Sequence, residues 1–197
     1  MARTSLMLGS IFMIIYFSIS AILTFIFILS LPSLVYGKNT FNFNLFNTAS
    51  QISYIPAIIG GILLFLGFKS IIGRFGIVLT LLGDIAGIIS YFNLPSNVQT
   101  FYIFSSIFLI SIGLILLGIA FYPESKGGSL LLIVGSATSI PFEIADLLSF
   151  YVPFFSYGNS PSSIIYVCTT YNFFIGMLPS FASALGFGII LKEKKSS

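Results

Sequence analysis

Histidine and tryptophan are both missing from this 197-residue chain, and cysteine occurs once, at Cys168. The lack of histidine removes the commonest metal ligand and the commonest general base. A single cysteine excludes an intrachain disulfide, and the sequence contains no cluster of metal ligands. We therefore expect no cofactor and no bound metal, and we do not expect an enzyme.

Charged residues are also scarce, at 7% of the chain, whereas a soluble domain carries roughly 25%. Hydrophobic residues make up 57% and lie in long runs. A soluble fold could not cover its surface with so few charges, so the composition predicts an all-α, multi-pass membrane protein in contact with the lipid bilayer. The net charge of +3 does not indicate nucleic-acid binding, because the basic residues lie at helix ends, where membrane orientation explains them.

Six apolar segments are long enough to cross a bilayer, which takes about 20 residues, and they predict a single transmembrane domain over residues 1–197. The predicted helices cover about 6–31, 52–68, 75–92, 101–122, 129–152 and 171–191. The first segment exceeds the apolar core of a signal peptide, about 7–15 residues, so it is interpreted as a retained helix; the alternative is cleavage near Gly37. Residues 34–51 are predicted to form an interfacial loop, with a lid or docking surface as the alternative.

The basic residues predict the orientation of the chain. If the N-terminus is cytoplasmic, six crossings return the C-terminus to the cytoplasm, and only Lys38 lies outside. The basic residues inside are then Arg3, Lys69, Arg74, Lys126, Lys192, Lys194 and Lys195. This distribution follows the positive-inside rule for short loops. It predicts a cell-membrane protein with both termini in the cytoplasm.

Self-similarity along the chain suggests three repeated two-helix hairpins. A Pro-Ser step begins each predicted outer loop, at Pro32, Pro95 and Pro161. The steps are 63 and 66 residues apart, from 32 to 95 and from 95 to 161. Internal repeats are common in transporter folds. The alternative is chance, because any apolar sequence built from few residue types aligns with itself.

Three acidic residues lie inside predicted membrane helices. Asp84 follows Gly83 and precedes Gly87, and two glycines four residues apart allow another helix to approach closely. We therefore expect Asp84 to face the bundle interior. Glu143 and Asp146 are three residues apart and share one helix face. They follow Pro141, which is expected to disturb the helical turn before it.

The sequence places no basic residue at the depth of these acids, so they need another form of neutralisation. They could be protonated, bind a cation, or meet a basic group of a partner protein. The alternative is that water solvates them at the outer surface or in a crevice. We hypothesise one intramembrane polar site formed by Asp84, Glu143 and Asp146. Tyr16, in the first helix, is interpreted as a packing residue.

Two functions fit these features. The buried acids favour transport of a proton, a cation or a small solute through the helix bundle. The small size favours a non-catalytic structural or accessory subunit, assembled with a membrane-protein partner or with further copies of itself as a homo-oligomer. The isoleucine- and serine-rich composition suggests a prokaryotic source.

Overall fold

The computed structural model describes residues 2–37, 41–92, 94–141, 144 and 172–196, and these are helical apart from short connections. The helices are α1 (Ala2–Val35), α2 (Phe43–Gly67), α3 (Ile71–Ile89), α4 (Ser96–Phe121), α5 (Lys126–Ala137) and α6 (Leu178–Ser196), and a π-helical turn (Phe173–Met177) precedes α6. All of them except α5 are long and apolar enough to cross a membrane. The described residues therefore confirm an all-helical fold that fits a multi-pass membrane protein.

The six helices form a closed ring in chain order. Each helix packs against the next one along the chain, and α6 packs against α1. Large apolar side chains cover the outside of the ring; Ile22, Leu29, Phe101 and Phe181 are each more than half exposed. Exposed apolar surface on this scale is typical of a face that contacts lipid.

One pair of glycines in each two-helix hairpin brings the two backbones into contact. The pairs are Gly9 with Gly60, Gly76 with Gly113, and Gly128 with Gly186. A Cβ built on any of these glycines would lie between 2.6 and 3.1 Å from the carbonyl oxygen of its partner. Small residues are the usual means by which membrane helices pack this closely. The pattern agrees with three similar hairpins, an arrangement that stays a prediction.

Phenylalanine rings fill the interior of the ring near one end. The centroids of Phe68 and Phe121 are 4.7 Å apart, and those of Phe121 and Phe187 are 6.2 Å apart, both in edge-to-face geometry. All three rings are at most 5% exposed. Such aromatic pairs contribute roughly 0.5–1.5 kcal/mol each beyond the burial of their area. We call these three residues the phenyl plug, because they close the centre of the bundle at this end.

Apart from Asp84, the charged residues that the structure describes lie at the end of the bundle that holds the phenyl plug. They occupy the helix termini and the α2–α3 and α4–α5 turns. Lys194 pairs with Glu124 at 2.6 Å, and its ammonium lies 5.2 Å from the centroid of the Phe121 ring. Arg3 donates a hydrogen bond to the backbone carbonyl of Lys194. We call this the charged end; it contains Ala2 and Ser196, the first and last residues that the structure describes. The opposite end is the far end.

The first helix continues beyond its predicted end. It does not stop at Leu31 but runs through Pro32 to Val35. Proline loses its own hydrogen bond in a helix, but its carbonyl can still accept one, and the Tyr36 N–H donates to Pro32 at 3.0 Å. The helix ends at Gly37, whose φ of +72° is the left-handed conformation common just after a helix.

The second helix begins earlier than predicted. Residues 43–51 were expected to belong to a loop, but they form the first turns of α2. Asn42 is the reason, because its side-chain oxygen accepts a hydrogen bond from the Leu45 N–H at 3.0 Å and so caps the helix. Ser70 caps α3 in the same way by accepting from Gly73 at 3.1 Å, so α3 also begins earlier than predicted.

The predicted fifth helix is interrupted. α5 ends at Ala137, and a turn at 138–139 separates it from the helical residues 140–141. The break lies directly before Pro141, whose ring clashes with the carbonyl four residues earlier, that of Ala137. The remainder of the predicted helix, to residue 152, lies outside the described residues except for Ile144.

A proline also explains the π-helical turn before α6. Pro179 has no N–H to donate to the carbonyl of Ile175, so the regular ladder of hydrogen bonds is broken there. The Leu178 N–H instead donates to the Phe173 carbonyl, five residues back. The chain thus accommodates the proline in one wider, π-helical turn and then continues as an α-helix.

Candidate functional site

Asp84 lies inside the helical ring. It is 13 residues after Ile71, the first residue of α3, which is about 20 Å along the helix at 1.5 Å per residue. Its side chain is 0% exposed. This confirms the expectation that Asp84 faces the protein interior.

Close packing between α3 and α4 sets the direction of Asp84. A Cβ built on Gly83 would lie 2.8 Å from the backbone oxygen of Ser106, and one built on Gly87 would lie 2.9 Å from the Ser106 hydroxyl. α4 therefore covers the glycine face of α3. Asp84, next to that face, is left pointing to the inside of the ring.

Three tyrosines from different parts of the chain form a row that ends beside Asp84. Tyr16 of α1 is 6% exposed, and its hydroxyl lies beside the carboxyl. The ring centroids of Tyr16 and Tyr54 are 6.0 Å apart, and those of Tyr54 and Tyr91 are 6.5 Å apart. The Tyr54 hydroxyl is in turn close to Ser106 of α4. We call Tyr16, Tyr54 and Tyr91 the tyrosine chain.

The carboxyl group of Asp84 is unsatisfied within this site. The Tyr16 hydroxyl lies beside it, but neither carboxyl oxygen has a hydrogen-bond partner of acceptable distance and angle. A buried charge without a partner costs several kcal/mol or more. Asp84 therefore has to be neutralised by a proton, by a bound cation or by a group of another molecule. Native proteins seldom leave a buried polar group in this state without a functional reason.

A cavity of about 270 Å³ lies beside the tyrosine chain, between α2 and the end of α3. Its lining residues are Gln51, Tyr54, Ile55, Ile58, Ile88, Tyr91 and Phe92. Tyr54 and Tyr91 thus belong to its wall, whereas Asp84 does not. Two residues of the cavity wall therefore belong to the tyrosine chain, whose third member, Tyr16, lies beside the buried carboxyl.

A second cavity, of about 670 Å³, opens at the charged end. Arg3, Lys69, Glu124 and Lys194 contribute to its wall, as does Phe68 of the phenyl plug. The two cavities therefore approach the interior of the bundle from opposite ends. The phenyl plug lies between the charged-end cavity and the level of Asp84.

The other two residues of the predicted site cannot be placed beside Asp84. Glu143 and Asp146 lie outside the described residues, and the described residue between them, Ile144, is exposed. A polar site shared by all three acids therefore stays a prediction.

Buried serines of α4, α5 and α6 add further hydroxyl groups to the interior of the bundle, and Ser129 and Ser183 among them were not predicted from the sequence. The hydroxyls of Ser111 and Ser139 are 2.8 Å apart, which joins α4 to the segment after α5. The hydroxyls of Ser129, Ser136 and Ser183 are buried without a hydrogen-bond partner. Ser129 and Ser136 are seven residues apart and so share a helix face, and this spacing was the available signal.

The interpretation of Tyr16 as a packing residue left out its contact with Asp84. Tyr16 is 14 residues from Ala2, and Tyr54 is 13 residues from Gly67. Counted from the charged end, both residues are at nearly the same depth as Asp84. Matching depth along antiparallel helices was therefore the signal that could have grouped these residues.

Comparison with known proteins leaves the chain without a family. No protein-family model matches it, and neither the curated proteins nor the solved structures contain a significant match. The function has to be inferred from the geometry of the site.

Proposed function

We propose that this protein transports a proton, a cation or a small solute across a membrane, with Asp84 as the group that takes up the transported or coupled ion. The observation that supports this most is the carboxyl of Asp84, fully buried and without a hydrogen-bond partner inside a ring of apolar helices. Ionisable residues at such depth are expensive, and they usually mark an ion or substrate pathway.

A purely structural role for Asp84 would require a partner. Buried charges in stable proteins are paired or accept several hydrogen bonds. In the described part of the chain, the ion pair of Lys194 with Glu124 lies at the charged end, well away from Asp84. The lack of a partner for Asp84 is better explained by an ion that the carboxyl binds and releases.

The two cavities fit a transport cycle in which access alternates between the ends of the bundle. The phenyl plug and the Lys194–Glu124 pair close the interior at the charged end. At the far end, two members of the tyrosine chain, Tyr54 and Tyr91, belong to the wall of the 270 Å³ cavity. We therefore infer that this conformation gives Asp84 access from the far end.

We further propose that the charged end lies on the cytoplasmic side of a cell membrane, because positively charged residues are enriched on that side. The test uses single cysteines in a Cys168→Ser background and a membrane-impermeant maleimide. Tyr36→Cys and Phe92→Cys, at exposed far-end positions, should react in intact cells. Ile71→Cys and Pro123→Cys, exposed at the charged end, should react only after permeabilisation. The reverse pattern would place both termini outside.

Transport itself is tested with the purified protein in liposomes that contain a dye for H⁺, Na⁺ or K⁺. We expect a gradient of one of these ions to dissipate faster than in protein-free liposomes, and the Asp84→Asn variant to abolish the difference. If no ion flux depends on Asp84, and the native protein purifies with a stoichiometric membrane partner, the chain is an accessory subunit.

A further inference from the structure

We propose that the ion taken up by Asp84 is a proton, and that it reaches the carboxyl from the α2–α3 cavity through the hydroxyl groups of Tyr91 and Tyr54. This inference rests on the proposed transport function and specifies its ion and its access route. It follows from the packing around Asp84 and from the order in which the tyrosines lie.

The packing around Asp84 leaves little space for a metal cation. Metal cations such as Ca²⁺ and Mg²⁺ need space for the ion itself and for six or more oxygen ligands around it. Asp84 is fully buried and outside the cavity wall. One turn further along α3, a single added Cβ at Gly87 would already lie within 2.9 Å of Tyr54 Cζ and Ser106 Oγ. A proton needs no comparable volume.

The described residues also lack the ligand set of a metal site. They contain no group of three or more acidic, cysteine or histidine side chains. The titratable groups that face Asp84 are Tyr16 from α1 and Tyr54 from α2, Tyr91 faces those two tyrosines, and α4 contributes the Ser106 hydroxyl. Hydroxyl groups that both donate and accept hydrogen bonds suit a proton path.

The tyrosine chain connects the cavity with the carboxyl. Tyr91 and Tyr54 form part of the cavity wall, and their ring centroids are 6.5 Å apart. Tyr54 is followed inward by Tyr16, at 6.0 Å, whose hydroxyl lies beside Asp84. The order of the rings therefore places Tyr54 between Tyr91 and Tyr16.

Proton transfer along this chain is balanced at each step. A proton from cavity water forms a new O–H bond at the Tyr91 oxygen while the original O–H bond of Tyr91 breaks. The proton released from Tyr91 forms a new O–H bond at the Tyr54 oxygen while the original O–H bond of Tyr54 breaks. That released proton forms an O–H bond on the Asp84 carboxylate, directly or by way of Tyr16. The tyrosines end as they began, and only Asp84 changes its protonation.

The experiment measures H⁺ flux into liposomes with an internal pH dye, under a clamped membrane potential. Tyr54→Phe keeps the ring and removes only the hydroxyl, so we expect a folded protein whose H⁺ flux falls at least tenfold. Tyr122→Phe is the matched control, because Tyr122 is a half-exposed tyrosine at the charged end, and its flux should equal that of the native protein.

The outcomes separate this inference from the proposed function. An Asp84-dependent flux of Na⁺ or K⁺ without H⁺ movement would overturn the proton assignment and leave transport standing. An Asp84-dependent H⁺ flux that Tyr54→Phe does not slow would overturn the route through the tyrosine chain. If no flux of any tested ion depends on Asp84, the proposed function itself is wrong.

Discussion

Replacing Asp84 with asparagine should raise the thermal stability of the protein and at the same time abolish its ion flux. Asparagine has nearly the same shape as aspartate and is neutral without a bound proton, so the folded protein no longer has to keep an acid neutral at pH 7. An unsatisfied buried polar group costs about 1–3 kcal/mol, and more when it is charged. At about 2–4 °C per kcal/mol for a chain of this size, the melting temperature in mild detergent should rise by several degrees.

Thr80→Val provides the matched control for this result. Thr80 is on the same helix and is buried like Asp84, but its hydroxyl donates to the Gly76 carbonyl at 3.0 Å. Removing a satisfied hydrogen bond should lower stability by about 0.5–1.5 kcal/mol and leave the flux unchanged. If Asp84→Asn instead lowers the melting temperature by several degrees, Asp84 has a stabilising partner and its functional role fails.

Gly113→Ala should be among the most destabilising single-methyl changes in the chain. Its Cβ would lie 2.6 Å from the backbone oxygen of Gly76 and 2.8 Å from the backbone nitrogen of Thr80. Both atoms belong to the α3 backbone, so the clash cannot be relieved by rotating a side chain, and α3 and α4 must separate. Overpacking of this kind costs about 1–3 kcal/mol. The melting temperature and the yield of monodisperse protein after detergent extraction should both fall.

Gly188→Ala tests whether any helical glycine would behave in the same way. A Cβ built on Gly188, in α6, has no neighbouring atom within 4 Å. Alanine also favours a helix over glycine by about 1 kcal/mol, so this variant should be as stable as the native protein or more stable. Equal stability of the two variants would contradict the close α3–α4 contact.

Composition was sufficient to predict apolar helices that could span a membrane, and the spacing of two glycines predicted the burial of Asp84. Few charges and long apolar runs exclude a soluble fold. Gly83 and Gly87 mark the side of α3 that packs against a neighbouring helix. The partners of Asp84 were harder to predict, because they depend on which helices are adjacent. Tyr16 of α1 reaches Asp84 of α3 only because the ring brings these two helices to face each other across its interior.

The helix boundaries show how much depends on single residues. Pro32 was interpreted as the end of the first helix, yet Gly37 ends it, since the left-handed conformation is far easier for glycine than for other residues. Asn42 was overlooked as a cap because the aromatic residues around it are also typical of a membrane interface. In both places the loop and the helical conformation are close in free energy, and one hydrogen bond or one favourable φ angle determines where the helix begins or ends.

During synthesis, the chain can complete its hairpins one after another but cannot close the ring until its last helix arrives. Each of the three glycine–glycine pairs lies within one hairpin, so each hairpin can pair as soon as its second helix enters the bilayer. The contacts between α1 and α6 join residues that are far apart, such as Ser20 and Ser180, 160 positions apart. Until α6 inserts, the face of α1 that carries the Ser20 hydroxyl has no helix packed against it. In a chain truncated before residue 172 this face of α1 would stay uncovered, and we expect membrane proteases to degrade the truncated chain.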